Sequence, residues 1–448
     1  MTGMSDVAGA PLHSTAPKKL GLGSGVGLVV ANMVGVGVLT SAGYQAFDLG
    51  PWVILFAWAV GAVIATAGAL AYGELARLMP RSGGEYRFLS ELLHPAVGTF
   101  AGWTSLVLGF SAPIAAAAAT AGPFAATLAP GLPPKAVGVA LIALVTVMHA
   151  FDLRVSRRGQ DALVIVKALL ILGFVAIGLA LGSWKSPTWM PVAHPNGPAF
   201  TLEPFMVSLV FIAYGYSGWN AAVYAAEDFR EPARTVPRAM VIGTLLVAVT
   251  YLLVNWVFVA NLDGQALADW TKLDASKITL GHLIVVKLLG TAAGAAMSAC
   301  VLIALWSSVS AMTYVGPRVT AAMAEGGYLP RVFAGHEGTP PRLSVLLQGA
   351  LAIVLLATNK FDTLIKNVGA VLTLSTALTA LALVRAAVAP AWAGRRPRPI
   401  ALVAAALYVA SCGWILWFAL RSSPQTLWWI GGVAVASGVA YVAAARNR

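Results

Sequence analysis

The chain has 448 residues, of which 59% are hydrophobic and only 10% charged, and its mean hydropathy is +0.80. A soluble domain carries about 25% charged residues, so this composition excludes a soluble globular protein and reads as a membrane protein with many crossings. The net charge of +12 is then first an orientation signal, because Lys and Arg partition to one side of a membrane chain, and no nucleic-acid partner is expected.

In chain order, residues 1–20 carry Pro, Ser and Gly ahead of Lys18 and Lys19, with no short apolar core followed by a small-residue cleavage site. They read as a disordered cytoplasmic tail and not as a signal peptide. Apolar runs follow at about 22–43, 51–78, 95–128, 134–151, 160–182, 202–226, 237–260, 284–325, 342–359, 364–388, 398–419 and 425–444. Each approaches or exceeds the roughly 20 residues that a helix needs to cross a bilayer, so an all-α membrane protein with twelve transmembrane helices is expected. Long continuous Ala, Leu and Val runs exclude a transmembrane β-barrel, whose segments are short and alternate. When the connections are assigned to alternate sides, twenty of the 29 Lys and Arg fall on one side, eight on the other, and Lys167 is left within a helix. Both termini are therefore expected on the cytoplasmic side of the inner cell membrane. The longest polar connections, near 183–201, 261–281 and 326–341, leave no room for a soluble domain, so the chemistry is expected inside the membrane. Cys300 and Cys412 lie in apolar runs without metal-ligand spacing and read as small buried residues.

Two of the runs are interrupted. The first contains Gly35, Val36 and Gly37, and the sixth contains Tyr214, Gly215, Tyr216, Ser217 and Gly218. Glycine inside a helix costs roughly 1 kcal/mol relative to Ala. A break within the bilayer also strands backbone N–H and C=O groups, at several kcal/mol each unless something else satisfies them. A ligand can do so: N–H groups at the start of a half-helix suit a carboxylate, and C=O groups at the end of one suit an ammonium. An α-amino acid carries both groups. Either break alone is equally readable as a close-packing contact between small residues; paired in the first and sixth runs, the breaks point to the binding site of an inverted-repeat transporter.

Several stretches are similar to a known family. GVGVLTSAG at 35–43, GELARLMPRSGGEYRFL at 73–89, RVSRRGQDALVIVK at 154–167, AYGYSGWNAAVYAAEDFREPARTVPRA at 213–239 and GPRVTAAMAEGGYLP at 316–330 resemble the amino acid-polyamine-organocation superfamily, and within it the L-type amino-acid transporters and bacterial amino-acid permeases. The resemblance implies a LeuT-type 5+5 inverted repeat, with a first repeat at 21–200, a second at 201–390, and two further helices and a short cytoplasmic C-terminus at 391–448. Carried over, it implies that Gly35, Val36 and Gly37 meet the substrate carboxylate through backbone N–H. Val36 stands where the family usually has a small polar residue, so no side-chain help is expected there. Tyr214 falls at the aromatic lid before the sixth-helix break, and the unwound carbonyls fall on Gly215, Tyr216 and Ser217.

Lys167 is the one basic residue placed well inside a helix. With a helix start near Gly159 it lies ~12 Å along the axis, a strain on snorkelling, and an ionisable residue inside a membrane is a functional candidate. A buried amine facing the first break would donate to the carbonyls near Val34 and Gly35 in place of a metal cation, and would be placed to load and release a proton. The resemblance agrees, since sodium-independent relatives carry a lysine of the fifth helix where sodium-coupled members hold an ion. The acidic residues near the runs, Glu74, Asp161, Glu203, Glu227 and Glu325, all lie near ends, so neutral amino acids are favoured over cationic ones. Ser111, and Trp306, Ser307, Ser308 and Ser310 in the eighth run, are candidates to line the side-chain pocket; each Ser can instead bond its own helix backbone. PRSGGEYRF (80–88) and EDFREPARTVPRA (227–239) read as cytoplasmic loops, solvated or pairing to close an inner gate, and His149 and His194 as incidental.

No phosphate-binding Gly-rich loop, catalytic-triad spacing or zinc pattern is present, so neither an enzyme nor a cofactor or metal is expected. The expected activity is sodium-independent secondary transport of neutral L-amino acids, proton-coupled or by exchange. An amine or cationic amino-acid exchanger, and a receptor or scaffold that does not transport, stand as alternatives. The expected partners are the amino-acid substrate, the lipid bilayer and protons, with no partner subunit evident.

Overall fold

The computed structural model describes residues 20–35, 37–38, 45–151, 153–191, 193, 198, 200–262, 280–335, 341–359, 361–388 and 396–446, leaving aside the side chains of 153–161, 280–281 and 361–367. The N-terminal tail, Val36, the side chain of Asp161, His194 and most of the 261–281 connection lie outside the described residues.

The described chain is helical, with no strand and one isolated parallel bridge between Leu20 and Phe229. In order, the helices are α1 (Leu22–Met33), α2 (Pro51–Leu78), α3 (Gly84–Leu92), α4 (Pro95–Thr104), a π-helical segment (Ser105–Ser111), α5 (Ala112–Leu128), α6 (Pro134–Phe151) and α7 (Leu153–Leu181). There follow α8 (Leu202–Tyr216), α9 (Ala221–Tyr224), α10 (Pro232–Asn261), α11 (Leu280–Leu289), α12 (Thr291–Val315) and α13 (Pro317–Glu325). The last four are α14 (Arg342–Thr358), α15 (Phe361–Val388), α16 (Pro399–Ser422) and α17 (Thr426–Arg446). Proline opens α2, α4, α10, α13 and α16, where its fixed φ suits the first turn and its missing N–H is not needed.

Among the described residues, nine helical stretches are long and apolar enough to cross a membrane, and α1, α8 and α14 are shorter apolar helices. The apolar runs of the sequence thus reappear as helices, with instructive differences. Run five begins at Leu153, so Lys167 lies fourteen residues into α7, or ~21 Å along its axis, deeper than the sequence reading placed it. Run eight is divided: α11 ends at Leu289 ahead of Gly290, whose φ of 85° is left-handed and suits glycine, and α13 starts anew at Pro317 after α12. Run three contains the π turn, where the Ser111 hydroxyl donates to Leu106 O at 2.7 Å just ahead of Pro113, and a π turn absorbs a backbone that α-helical bonding cannot. Residues 84–88, expected within the cytoplasmic loop at 80–88, instead begin α3, with Glu85, Tyr86 and Phe88 buried.

The core has two parts. One is centred on Trp58, Tyr72, Phe229, Tyr251 and Phe258 and joins α2, α10 and their neighbours. The other is centred on Phe124, Ile142 and Leu305 and joins α5, α6 and α12. Tyr214 of α8 belongs to the second part and Tyr216 to the first, so α8 bridges the two.

Candidate functional site

The helix of the first run ends at Met33. Val34 is extended (φ −77°, ψ 96°), Gly35 lies in a bend, and Gly37 and Val38 are helical again. The break therefore opens one residue ahead of the predicted glycines. In the sixth run the helix continues through Tyr216 and turns over Ser217–Asn220 before α9. This corrects the expectation that Gly215 and Tyr216 are unwound. The residue that requires glycine is Gly218, at φ 102°, whose missing Cβ would meet the Asn32 backbone carbonyl at 2.8 Å. Tyr214 and Tyr216 are helical and both rings are buried: Tyr216 packs on Trp58 and Tyr251, at 5.7 and 5.1 Å between ring centroids.

The two breaks touch. A Cβ on Gly37 would lie 2.7 Å from the Gly215 Cα, whereas one on Gly35 would meet only Ser308 Oγ, at an ordinary 3.5 Å. The Tyr251 hydroxyl lies 2.7 Å from Met33 O and 2.9 Å from Gly215 O, a donor shared between the ends of both broken helices. Lys167, fully buried, donates to Ala31 O at 3.0 Å, to Val34 O, and to Ser308 Oγ at 2.7 Å. The Ser308 hydroxyl in turn reaches Val34 O at 2.8 Å. The three ammonium protons thus meet three acceptors, two of them carbonyls that the end of α1 releases. No carboxylate among the described residues forms an ion pair with this lysine.

Beside the second break lies a cavity of about 80 Å³, counted as space for the centres of water-sized molecules, with Asn32, Tyr214, Ser217, Gly218 and Asn220 in its wall. A single water needs some 10–15 Å³ by that measure, so several fit. The π segment contributes Gly109 and Phe110, and α15 and α16 contribute Thr373, Thr376 and Tyr408.

Glu85 also lines this cavity. It is 1% exposed and accepts from Tyr72 Oη at 3.0 Å, Asn220 Nδ2 at 3.0 Å and Ser375 Oγ at 2.8 Å. These donors are neutral, and no basic residue among those described pairs with it. Burial raises its pKa above the usual carboxylate range, against the lowering by these hydrogen bonds. The sequence reading found no carboxylate away from a run's end because it placed residue 85 in a loop. The signal available was the flanking GGEYRF pattern, which starts a helix with a left-handed Gly83.

Other candidates fall elsewhere. Ser111 is fully buried and bonds backbone, to Leu106 O and, at 3.4 Å, to Gln348 O. Ser307 is buried with its hydroxyl unpaired, as is the indole N–H of Trp306; neither residue borders this cavity. Ser310 meets His149 Nε2 at 2.9 Å, so this histidine is a buried hydrogen-bonding partner and not incidental. Tyr251, Asn220, Tyr408 and the π segment were missed. Tyr251 had a faint signal, as the one tyrosine in α10; the others join the site only by packing.

A sequence model of the family described as amino acid permease matches residues 26–421. Among curated relatives, the large neutral amino acids transporter small subunit 2 of Rattus norvegicus is 28% identical over 430 residues, covering 91% of this chain and 77% of the relative. The Asc-type amino acid transporter 1 of Mus musculus is 24% identical over 444 residues, covering 94% and 80%. The b(0,+)-type amino acid transporter 1 of Rattus norvegicus is 32% identical over 266 residues, covering 54% and 53%.

Proposed function

The chain belongs to the amino acid permease family, and we propose that within it the protein is a sodium-independent secondary transporter of neutral L-amino acids, proton-coupled or exchanging. The proposal includes twelve crossings on a LeuT-type 5+5 inverted repeat followed by two helices, in an inner cell membrane with both termini cytoplasmic. Among the described residues, the nine long apolar helical stretches and the three shorter helices support the count, and the meeting of the two interrupted segments supports the repeat. The relatives' names, each an amino acid transporter, support the cargo.

The observation that carries the reading is the ammonium of Lys167 among the carbonyls of Ala31 and Val34. A fixed ammonium supplies there the charge that a bound sodium ion would otherwise supply. On this reading Gly35, Val36 and Gly37 offer backbone N–H to a substrate carboxylate, while Tyr214 and Ser217, both in the cavity wall, cover the cargo and meet its ammonium. Protonation of Lys167 holds α7 against α1, and its loss releases the contact, biasing the transporter between states. The test is initial-rate uptake of labelled neutral amino acids into proteoliposomes from pH 5 to 8, with choline replacing sodium. Sodium-independent, pH-dependent uptake is expected; a sodium requirement would overturn the reading.

Glu85 favours a second reading, a cargo bearing an amine on its side chain. A buried carboxylate with only neutral donors is costly unless it is protonated or finds a cation. On this reading cationic amino acids compete with neutral ones, and Glu85→Gln abolishes that competition while sparing neutral uptake. Because the Glu85 pKa is raised, cationic competition is present at high pH and is lost as pH falls, at a pH above the ordinary glutamate value of about 4.3. Competition assays on the wild type and the variant separate the readings.

A further inference from the structure

A second cavity, about 490 Å³ by the same measure of space, opens on the arginine-rich end of the bundle between α2, α10 and α16. Its wall holds four arginines, Arg77, Arg234, Arg238 and Arg398, against one carboxylate, Glu74. That carboxylate is already engaged: Arg77 grips it with Nη2 at 2.7 Å and Nε at 3.1 Å, and the Arg398 backbone N–H donates to it at 2.8 Å. Arg234 faces Glu231 across 3.6 Å with both side chains largely exposed, a weak pair. Neither Arg238 nor the Arg398 guanidinium makes a hydrogen bond or ion pair among the described residues, and the charge of Arg398 reaches only the Glu74 that Arg77 already holds. No Asp or Glu follows Asp362 in the sequence, so the segment leading into α16 brings no acid to neutralise them.

We propose that this cavity binds a phosphate group, that of an anionic phospholipid. Guanidinium groups match phosphate oxygens in geometry and charge, and basic pockets between helices at the cytoplasmic end of a membrane protein suit anionic head groups. The surroundings select a lipid over a soluble anion. Ile400 and Val241 border the cavity, and Leu245, Val249, Val403 and Leu407 continue away from it along α10 and α16 as exposed apolar side chains. An acyl chain attached to a bound head group would lie along this surface. The site shares no residue with the cavity at the helix breaks, so it stands or falls independently of what the protein transports.

The test is lipid retention by the full-length protein in nanodiscs of mixed phosphatidylglycerol and phosphatidylcholine, read by native mass spectrometry. The wild type is expected to retain phosphatidylglycerol selectively, and Arg238→Gln with Arg398→Gln to lower that selectivity by about fivefold per arginine. The control variant Arg331→Gln with Arg342→Gln removes the same charge elsewhere and is expected to keep it. Equal losses in both variants, or no selectivity in the wild type, would overturn the proposal. Glycerol 3-phosphate and inorganic phosphate form the second arm. Displacement of the lipid only by another anionic lipid supports the lipid source, whereas displacement by millimolar glycerol 3-phosphate would overturn that source in favour of a soluble phosphate. Thermal unfolding in phosphatidylcholine alone checks that the variants fold.

Discussion

The two helix breaks solve the same problem to different extents. At the end of α1, the freed carbonyls of Ala31, Met33 and Val34 are filled from within the protein, by Lys167, Ser308 and Tyr251. At the turn after α8, Ser217 meets Tyr214 O and Tyr251 meets Gly215 O, but Ser217, Gly218 and Asn220 also border a cavity. A backbone group inside a bilayer must find a partner, so the filled break is a junction closed by the protein's own side chains, and the open break, the one beside a cavity, is where a ligand has room to add contacts. The difference divides labour that the sequence had assigned jointly to two glycine-rich stretches. Substitutions of the donors that fill the first break should change stability and coupling; those in the cavity wall at the second should change affinity.

The largest effect is expected at Lys167. Lys167→Ala removes three donors; the Ser308 hydroxyl still meets Val34 O, but Ala31 O loses its donor, at about 1–3 kcal/mol for a buried group left unsatisfied. Uptake should fall close to background in proteoliposomes, and the remaining rate should lose its pH dependence. A variant with the wild-type rate and pH profile would mean that the junction does not govern transport.

Next come the glycines, which the comparison ranks. Gly37→Ala drives a methyl group into Gly215, and Gly218→Ala combines a left-handed backbone with a clash on Asn32. Each should cost roughly 1–3 kcal/mol, lowering the midpoint of thermal unfolding. Gly35→Ala meets only an ordinary contact and should cost less than about 1 kcal/mol. A Gly35 variant as destabilised as the Gly37 one would erase the distinction between them.

Tyr251→Phe keeps the ring against Trp58 and Tyr216 but removes the hydroxyl shared by Met33 O and Gly215 O. A loss of about 1–3 kcal/mol is expected, with apparent substrate affinity changed by less than the rate. The smallest effects are at Tyr214, in the wall of the open break. Tyr214→Ala should weaken substrate binding more than Tyr214→Phe, because the buried ring area outweighs one hydroxyl; equal losses in a binding titration would reverse that order.

How much of this was legible beforehand depends on distance along the chain. The depth of Lys167 and the pair of interrupted runs could be read because each is a local departure from an apolar pattern, and the bilayer makes every such departure expensive. Glu85 could not be read in the same way. It sits outside every long apolar run, and its burial comes from Tyr72, Asn220 and Ser375, residues distant from it in sequence. Ser111 and Ser310 show the reverse: both are polar residues in apolar runs, as predicted, but one turns to backbone and the other to His149.

By itself, then, the sequence determined that the chain is helical and membrane-embedded, which runs are broken, and which family's motifs it carries, because composition, run length and glycine spacing are properties of adjacent residues. The tertiary structure alone decided which break is filled and which is open. A freed carbonyl is satisfied by whichever donor the packing brings within about 3 Å, and Lys167, Ser308 and Tyr251 reach the end of α1 from three other helices, α7, α12 and α10.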